Sequence, residues 1–281
     1  MARAALRWPA DRPILLAIRR LIARVGLDRL VAAMKIVKQA VPDVLLFIAG
    51  RGPLEAALRR QIAEAGLERG ERWSFAPDSK LLVTGGTKGV GRGIAQRLAD
   101  AGATIAVCSR SEPETLPSGW EWFGVDLRDG DAAWAMVDQV VERIGRLDVL
   151  VNNAGGAPPA DSTTAKPRFT ERIIALNLFA AIFCSQRANH WMQQQDTGGS
   201  IVNIGSVSGQ RPTPQTAAYG AAKAGLVNFT QTTAVEWAPK VRVNHITAGM
   251  VRTEQSHLFY GDEAGIAQVG LTVPLGRIAN P

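Results

Sequence analysis

Residues Lys80–Gly102 read KLLVTGGTKGVGRGIAQRLADAG. An apolar, β-prone run gives way to a glycine loop and then to apolar residues at helical spacing, the pattern of strand, turn and helix. Glycines at 85, 89 and 91 let the backbone turn tightly and approach a diphosphate closely. The helix that follows offers free N–H groups and the positive end of its dipole to an anion. A glycine loop also fits a plain turn; its place between strand and helix favours the phosphate site.

The same alternation continues downstream. TIAVCSR, LDVLVNNAG, GSIVNIGSVSG and VRVNHITAG read as strands. DAAWAMVDQVVERIG, a stretch from about 168 to 194, and AAYGAAKAGLVNFTQTTAVEWA read as helices between them. Strands and helices alternating at this spacing predict a doubly wound parallel sheet covered on both faces, an α/β fold of Rossmann type.

Two further stretches bear on chemistry. The second strand ends Val107-Cys108-Ser109-Arg110. A site selecting NAD places an acidic residue there to accept from the ribose 2′-OH. Ser109 holds that place, and the Arg110 guanidinium suits a 2′-phosphate, with Lys88 as a second cation. The expected cofactor is therefore NADP(H) in preference to NAD(H), against the plainer reading that Arg110 and Lys88 are solvated loop charges. Tyr219 and Lys223, in YGAAK, stand four apart and share one helix face. An ammonium there would lower the phenol pKa, and the small residues between them allow close approach. A Tyr-x-x-x-Lys pair by itself is explained as well by chance and packing.

Taken together, TGGTKGVG (84–91), the DL pair at 126–127, NNAG (152–155), ALN (175–177), IVNIGSVSG (201–209) and YGAAK (219–223) occur in an order and spacing that resemble the short-chain dehydrogenase/reductase family over residues 80–281. The resemblance implies oxidoreduction between a carbonyl and a secondary alcohol, with a small-molecule substrate and a homo-oligomeric state. It implies Tyr219 as acid or base, and Lys223 as the ribose contact that tunes it. Ser206, thirteen residues before the tyrosine, would hydrogen-bond the substrate oxygen, and Asn177 would position a relay water. For the cofactor it implies Gly85, Thr87, Lys88, Gly89, Val90 and Gly91 at the phosphates, Ser109 and Arg110 at the ribose, and Asp126 and Leu127 at the adenine. Asn153, Ala154 and Gly155 would line the cofactor strand, and Thr253 would reach the nicotinamide carboxamide. Two departures stand out. Ala248-Gly249 replaces the usual Pro-Gly, and after VPLGRIANP the family's last helix and strand are expected to be missing, leaving a bare sheet edge. The alternative reading is a non-catalytic or chimeric protein with residual cofactor binding.

The family's glycine loop ordinarily sits near the N-terminus, yet here some eighty residues precede it. ILLAI, GLDRLVAAMKIVKQA, DVLLFIAG, PLEAALRRQIAEAGL and RWSFAP read as a separate strand-helix-strand-helix-strand run. This stretch resembles part of the C-terminal domain of the GT-B glycosyltransferases. Their phosphate site is reduced to Arg20-Leu21 and Val25-Gly26, with valine in place of lysine. The resulting division is a glycosyltransferase-like α/β fragment, 1–79, and a dinucleotide-binding domain, 80–281. Charge follows this division. Residues 1–79 hold 14 Lys and Arg against 8 Asp and Glu, while the remainder holds 18 against 17, so most of the net +7 belongs to the first segment. Its arginines lie on helical patterns without interleaved aromatics, which argues for a solvated face and against nucleic acid. Two distant cysteines and scattered histidines give no disulfide framework or metal spacing. Apolar runs are too short to span a membrane, so neither membrane nor metal is expected, and a cytoplasmic location is.

Overall fold

The computed structural model describes residues 14–18, 27–41, 44–49, 55–65, 67, 78–254, 256–273 and 276–280. It divides into two compact units, Met1–Trp73 and Ser74–Pro281.

In the first unit, β1 (Ile14–Ile18) and β2 (Leu45–Ala49) pair in parallel, Ile14 opposite Leu45. Helices α1 (Leu27–Ala40) and α2 (Glu55–Glu64) accompany them. Leu27, Val31 and Leu58 form a small buried cluster with Leu30, Ile62 and Leu67 against it. Spacing of three to four residues puts Leu27, Leu30 and Val31 on one face of α1 and Leu58 and Ile62 on one face of α2. The expected strand RWSFAP and the Arg20-Leu21 and Val25-Gly26 pairs lie outside the described residues.

The second unit is built on six strands: β3 (Lys80–Thr84), β4 (Thr104–Ser109), β5 (Glu121–Gly124), β6 (Val149–Asn152), β7 (Gly199–Ser206) and β8 (Val241–Ala248). All pair in parallel, in the order β5-β4-β3-β6-β7-β8. Winding runs outward from β3 to β5, then returns to β6 and proceeds the other way, so the direction reverses between β3 and β6. In open α/β sheets ligands bind at such a reversal, beyond the carboxyl ends of the strands.

Helices α3 (Gly89–Asp100), α4 (Gly130–Ile144), α5 (Pro167–Ile174), α6 (Ala180–Gln194) and α7 (Ala217–Glu236) connect these strands. One buried cluster joins Leu82, Leu150 and Ile201 of the sheet to Met136 and Val140 of α4 and to Cys184 and Met192 of α6. The other joins Leu81, Val83, Ile105 and Val107 to Ala95 of α3. Helix α4 begins where Asp129 accepts the Ala132 amide at 3.1 Å and ends where Gly145 takes φ +89° and its N–H reaches Val141 O. Short helices α8 (His257–Tyr260) and α9 (Glu263–Leu271) follow β8.

Three elements differ from the expectation. Strand β5 sits on the sequence EWFG, which carries no alternating pattern; it is fixed by pairing with β4, Val107 opposite Trp122. Helix α3 opens at Gly89, so the last two loop glycines belong to its first turn. The long helix is interrupted at Ala175–Phe179 by a π turn, which joins α5 to α6 without breaking the run. Strand β8 is the last in the sheet order among the described residues, and Ala279 returns to pair with Val251 just beyond it. No described helix is long and apolar enough to cross a membrane.

Candidate active site

The ends of β3 and β6 are tied together by their own side chains. Thr84 Oγ1 accepts from the amides of Asn153 and Ala154, both at 3.0 Å, and donates to Val151 O at 3.4 Å. Asn153 Nδ2 returns to Thr84 O at 3.0 Å and Gly85 O at 3.3 Å. Thus Thr84 and Asn153 act in structure first: they hold the glycine loop against the loop after β6. Gly85 takes φ +62°, and a Cβ on Gly91 would collide with Gly85 O and Asn153 Nδ2. Only glycine closes this cradle. The first turn of α3 carries no acid, and Lys88 at its N-cap makes no side-chain cap bond, so its N–H groups suit an external anion. The residues present fit a dinucleotide diphosphate.

At the end of β4, Ser109 Oγ accepts from Trp122 Nε1 at 2.9 Å and donates to Ser111 O at 2.7 Å. Its hydroxyl is already engaged in shaping the turn, and Arg110 beside it is exposed. No carboxylate occupies either position. Asp126 is gripped by Arg128, whose Nε reaches Oδ1 at 2.8 Å and Oδ2 at 3.1 Å, with Nη2 also on Oδ2. The Arg128 hydrogen bond holds the carboxyl below its ordinary range, and Arg110 adds to the effect. Leu127 is buried in the core rather than presented at the rim. Arg92 Nη1 bridges Thr87 O at 3.5 Å and Thr115 O at 3.3 Å, joining the glycine loop to the loop before β5. Trp122, Arg128 and Arg92 were not singled out from the sequence, because their partners lie across a turn or a strand pairing that only the fold creates.

Past the reversal point, Ser206 ends β7 and Tyr219 and Lys223 sit on the first turns of α7. Ser206 lies near enough to the Tyr219 phenol to draw its pKa down. Burial nonetheless keeps that phenol above its ordinary pKa, with Ser206 pulling it down and Tyr260 nearby pushing it up. The expectation that Lys223 lowers the tyrosine is not met in this arrangement. Lys223 Nζ donates to Ile204 O at 2.8 Å and stands 5.8 Å from the tyrosine ring centre. Lys223 is 4% exposed, and burial pulls its pKa down to about 8.

Asn177 lies in the π turn. Its Nδ2 donates to Ile173 O and Gly156 O, each at 2.9 Å, and its Oδ1 accepts the Gly156 amide at 2.8 Å. A π turn is frequent at functional sites because the extra residue re-aims a side chain. A Cβ on Gly155 would sit 2.6 Å from Asn177 Oδ1 and 3.4 Å from Lys223 Nζ. Asn177, Gly155 and Lys223 therefore meet at one point. His245 packs its Nε2, buried and without a hydrogen-bond partner, against Gly205 beside Ser206. Thr253 lies at the other end, its methyl 3.4 Å from where a Gly89 Cβ would be. What the site offers chemically is a proton-bearing phenol beside a hydroxyl, a buried amine, and an anion cradle beyond the carboxyl ends of the strands.

Comparison with known proteins bears on this arrangement. Residues 79–263 match the short chain dehydrogenase family, and residues 2–81 match the group 1 glycosyl transferases. A probable 2,4-dienoyl-CoA reductase of Bacillus subtilis is 33% identical over 216 residues, covering 72% of this chain and 84% of that protein. A 3alpha-hydroxysteroid dehydrogenase of Mediterraneibacter gnavus is 31% identical over 213 residues, 71% of this chain and 84% of the relative. Among solved structures, ligand-free aldohexose dehydrogenase of Thermoplasma acidophilum superposes with a TM-score of 0.69 at 29% identity, covering 73% of this chain and 83% of that one. ElxO with NADP bound superposes at 0.66 and 27% identity, covering 72% and 86%. With the six-stranded parallel sheet, the glycine cradle and the Ser206–Tyr219–Lys223 cluster, these matches place the chain in the short chain dehydrogenase family, as an NAD(P)-dependent oxidoreductase.

Proposed function

We propose that residues 80–281 interconvert a ketone and a secondary alcohol with NADP(H), and that residues 1–79 form a separate unit outside the chemistry. The observation that carries the reading is the meeting of Ser206, Tyr219, Lys223 and Asn177 beside a glycine cradle at the reversal point of the sheet. When bound, the dinucleotide supplies or accepts the hydride. Gly85, Thr87, Gly89, Val90 and Gly91 seat its diphosphate on the α3 amides, and Asn153, Ala154 and Gly155 border its nicotinamide half. Ser206 orients the substrate oxygen and supports the charge that grows on it. Tyr219, whose phenol keeps its proton at neutral pH, delivers that proton to the oxygen during reduction and takes it back during oxidation. Lys223, freed from Ile204 O, reaches the ribose, and Asn177 steadies the path by which the proton is replaced. Asp126 would contact the adenine, and Thr253 would reach the nicotinamide carboxamide.

Preference for NADP(H) rests on the absence of a carboxylate at 109–110 and on the exposed Arg110. The ElxO structure, which holds NADP, supports that reading. It is tested by titrating the protein and its Arg110→Asp variant with NADPH and NADH. The variant should lose NADPH affinity by about tenfold or more, one lost charge-assisted pair plus a repulsion, and lose little with NADH. Equal ratios in the two proteins would remove Arg110 from the site.

A further inference from the structure

The anion-binding end of α3 is occupied by the protein itself. The Gly89 amide donates to Glu254 Oε1 at 3.4 Å, across 165 residues of sequence. A Cβ on Gly89 would lie 3.4 Å from Thr253 Cγ2 and 3.7 Å from Glu254 Oε2, so the Thr253-Glu254 pair rests on the mouth of the cradle. The helix has no acid of its own in the first turn and no side-chain cap at Lys88. A carboxylate from the segment after β8 therefore supplies the negative charge that a helix N-terminus favours.

This segment is held in place rather than hanging free. The Arg252 amide donates to Ala279 O at 2.7 Å and the Ala279 amide to Met250 O at 3.0 Å. Arg252 Nη2 donates to Glu263 Oε1 at 2.5 Å, and the Thr253 amide to Ser256 Oγ at 2.8 Å. Its anchoring points the Glu254 carboxylate at the Gly89 amide, one of those a diphosphate would use. Two anions competing for one set of donors exclude each other.

We propose that Glu254 is an intramolecular competitor of the dinucleotide. Its carboxylate caps α3 in the unliganded protein, leaves when the diphosphate binds, and thereby couples cofactor binding to release of the segment after β8. This rests on the reading of the cradle as a dinucleotide site. Apparent affinity for the cofactor is then reduced by the fraction of molecules in the capped state. Glu254 is exposed, so the restraint is modest and readily displaced. Removing its charge raises affinity without touching any residue assigned to catalysis or to the cofactor.

The test is a fluorescence titration of the full 281-residue chain with NADPH. It compares the wild type, Glu254→Gln, Glu254→Ala, and Glu236→Gln as a control for net charge, each first shown by thermal melting to be folded. Both Glu254 variants should bind about two- to tenfold more tightly, the range of one carboxylate at a helix N-terminus, and Glu236→Gln should match the wild type. Binding by the Glu254 variants alone would support the competitor in its strongest form. Equal or weaker binding by the Glu254 variants, with the wild type saturable, would overturn the competitor and leave the dinucleotide site standing. An equal gain in Glu236→Gln would also overturn it. No saturable binding by any of the four proteins would overturn the dinucleotide reading and the competitor with it.

Discussion

Lys223 carries a charged head into a place where 4% of the residue meets solvent. Its hydrogen bond to Ile204 O does not repay the loss of water. Burial sets its folded pKa at about 8, below the ordinary 10.5. Between those values the unfolded chain binds more protons than the folded one, so stability rises with pH through that window. Below pH 8 the full cost of burying the charge is present. Denaturant unfolding at about pH 7 and pH 10 should therefore show the wild type gaining about 2 kcal/mol on Lys223→Met as the pH is raised. Parallel stabilities for the two proteins would mean that the amine is not held as described. The same residue shows what spacing can and cannot convey. An i, i+4 interval puts Tyr219 and Lys223 on one helix face whatever the fold. It does not say that the amine turns toward Ile204 or that burial, with Ser206 and Tyr260, sets the phenol pKa. Those depend on what the rest of the chain packs around them.

Among the elements, those with strong periodicity were legible. Strands β3, β4 and β6 read as apolar runs because both faces of a central parallel strand are covered, while β7 and β8 read from apolar residues that alternate with polar ones. Strand β5 was not legible: four residues with a terminal glycine give no period, and its place depends on the β4 backbone beside it. The π turn at 175–179 was also hidden, since one added residue scarcely disturbs the apolar spacing of a helix more than twenty residues long. Yet that turn aims Asn177 at Gly156. The glycine loop was legible in position and misjudged in extent, because helix propensity disfavours glycine and its closing contacts come from Asn153 on the loop after β6. Gly91→Ala tests the element directly. Its Cβ has no room against Gly85 O and Asn153 Nδ2. The variant should bind NADPH more than about tenfold more weakly and lose on the order of 1–3 kcal/mol of stability through overpacking. Unaltered binding would show that the loop does not close as described.

At the scale of the molecule, the composition shift near residue 79 and the second start of the strand-helix alternation indicated two parts. The contacts divide the chain at Trp73 and Ser74, close to the junction of the two family matches. Excess positive charge belongs to the first part, and the catalytic candidates belong to the second. Contacts such as Glu254 to Gly89 were beyond the reach of the sequence, because no local pattern couples residues 165 apart. The central claim is that the second unit transfers a proton through Tyr219 as hydride moves between nicotinamide and a carbonyl carbon. It is tested most directly by following oxidation of NADPH by a set of ketones, with the intact chain and with Tyr219→Phe, while cofactor affinity is measured for both. The account predicts turnover by the wild type on at least one ketone, a loss of about a hundredfold or more in the variant, and unchanged cofactor affinity. Equal turnover by the two proteins, or none by a wild type that binds NADPH, would contradict it.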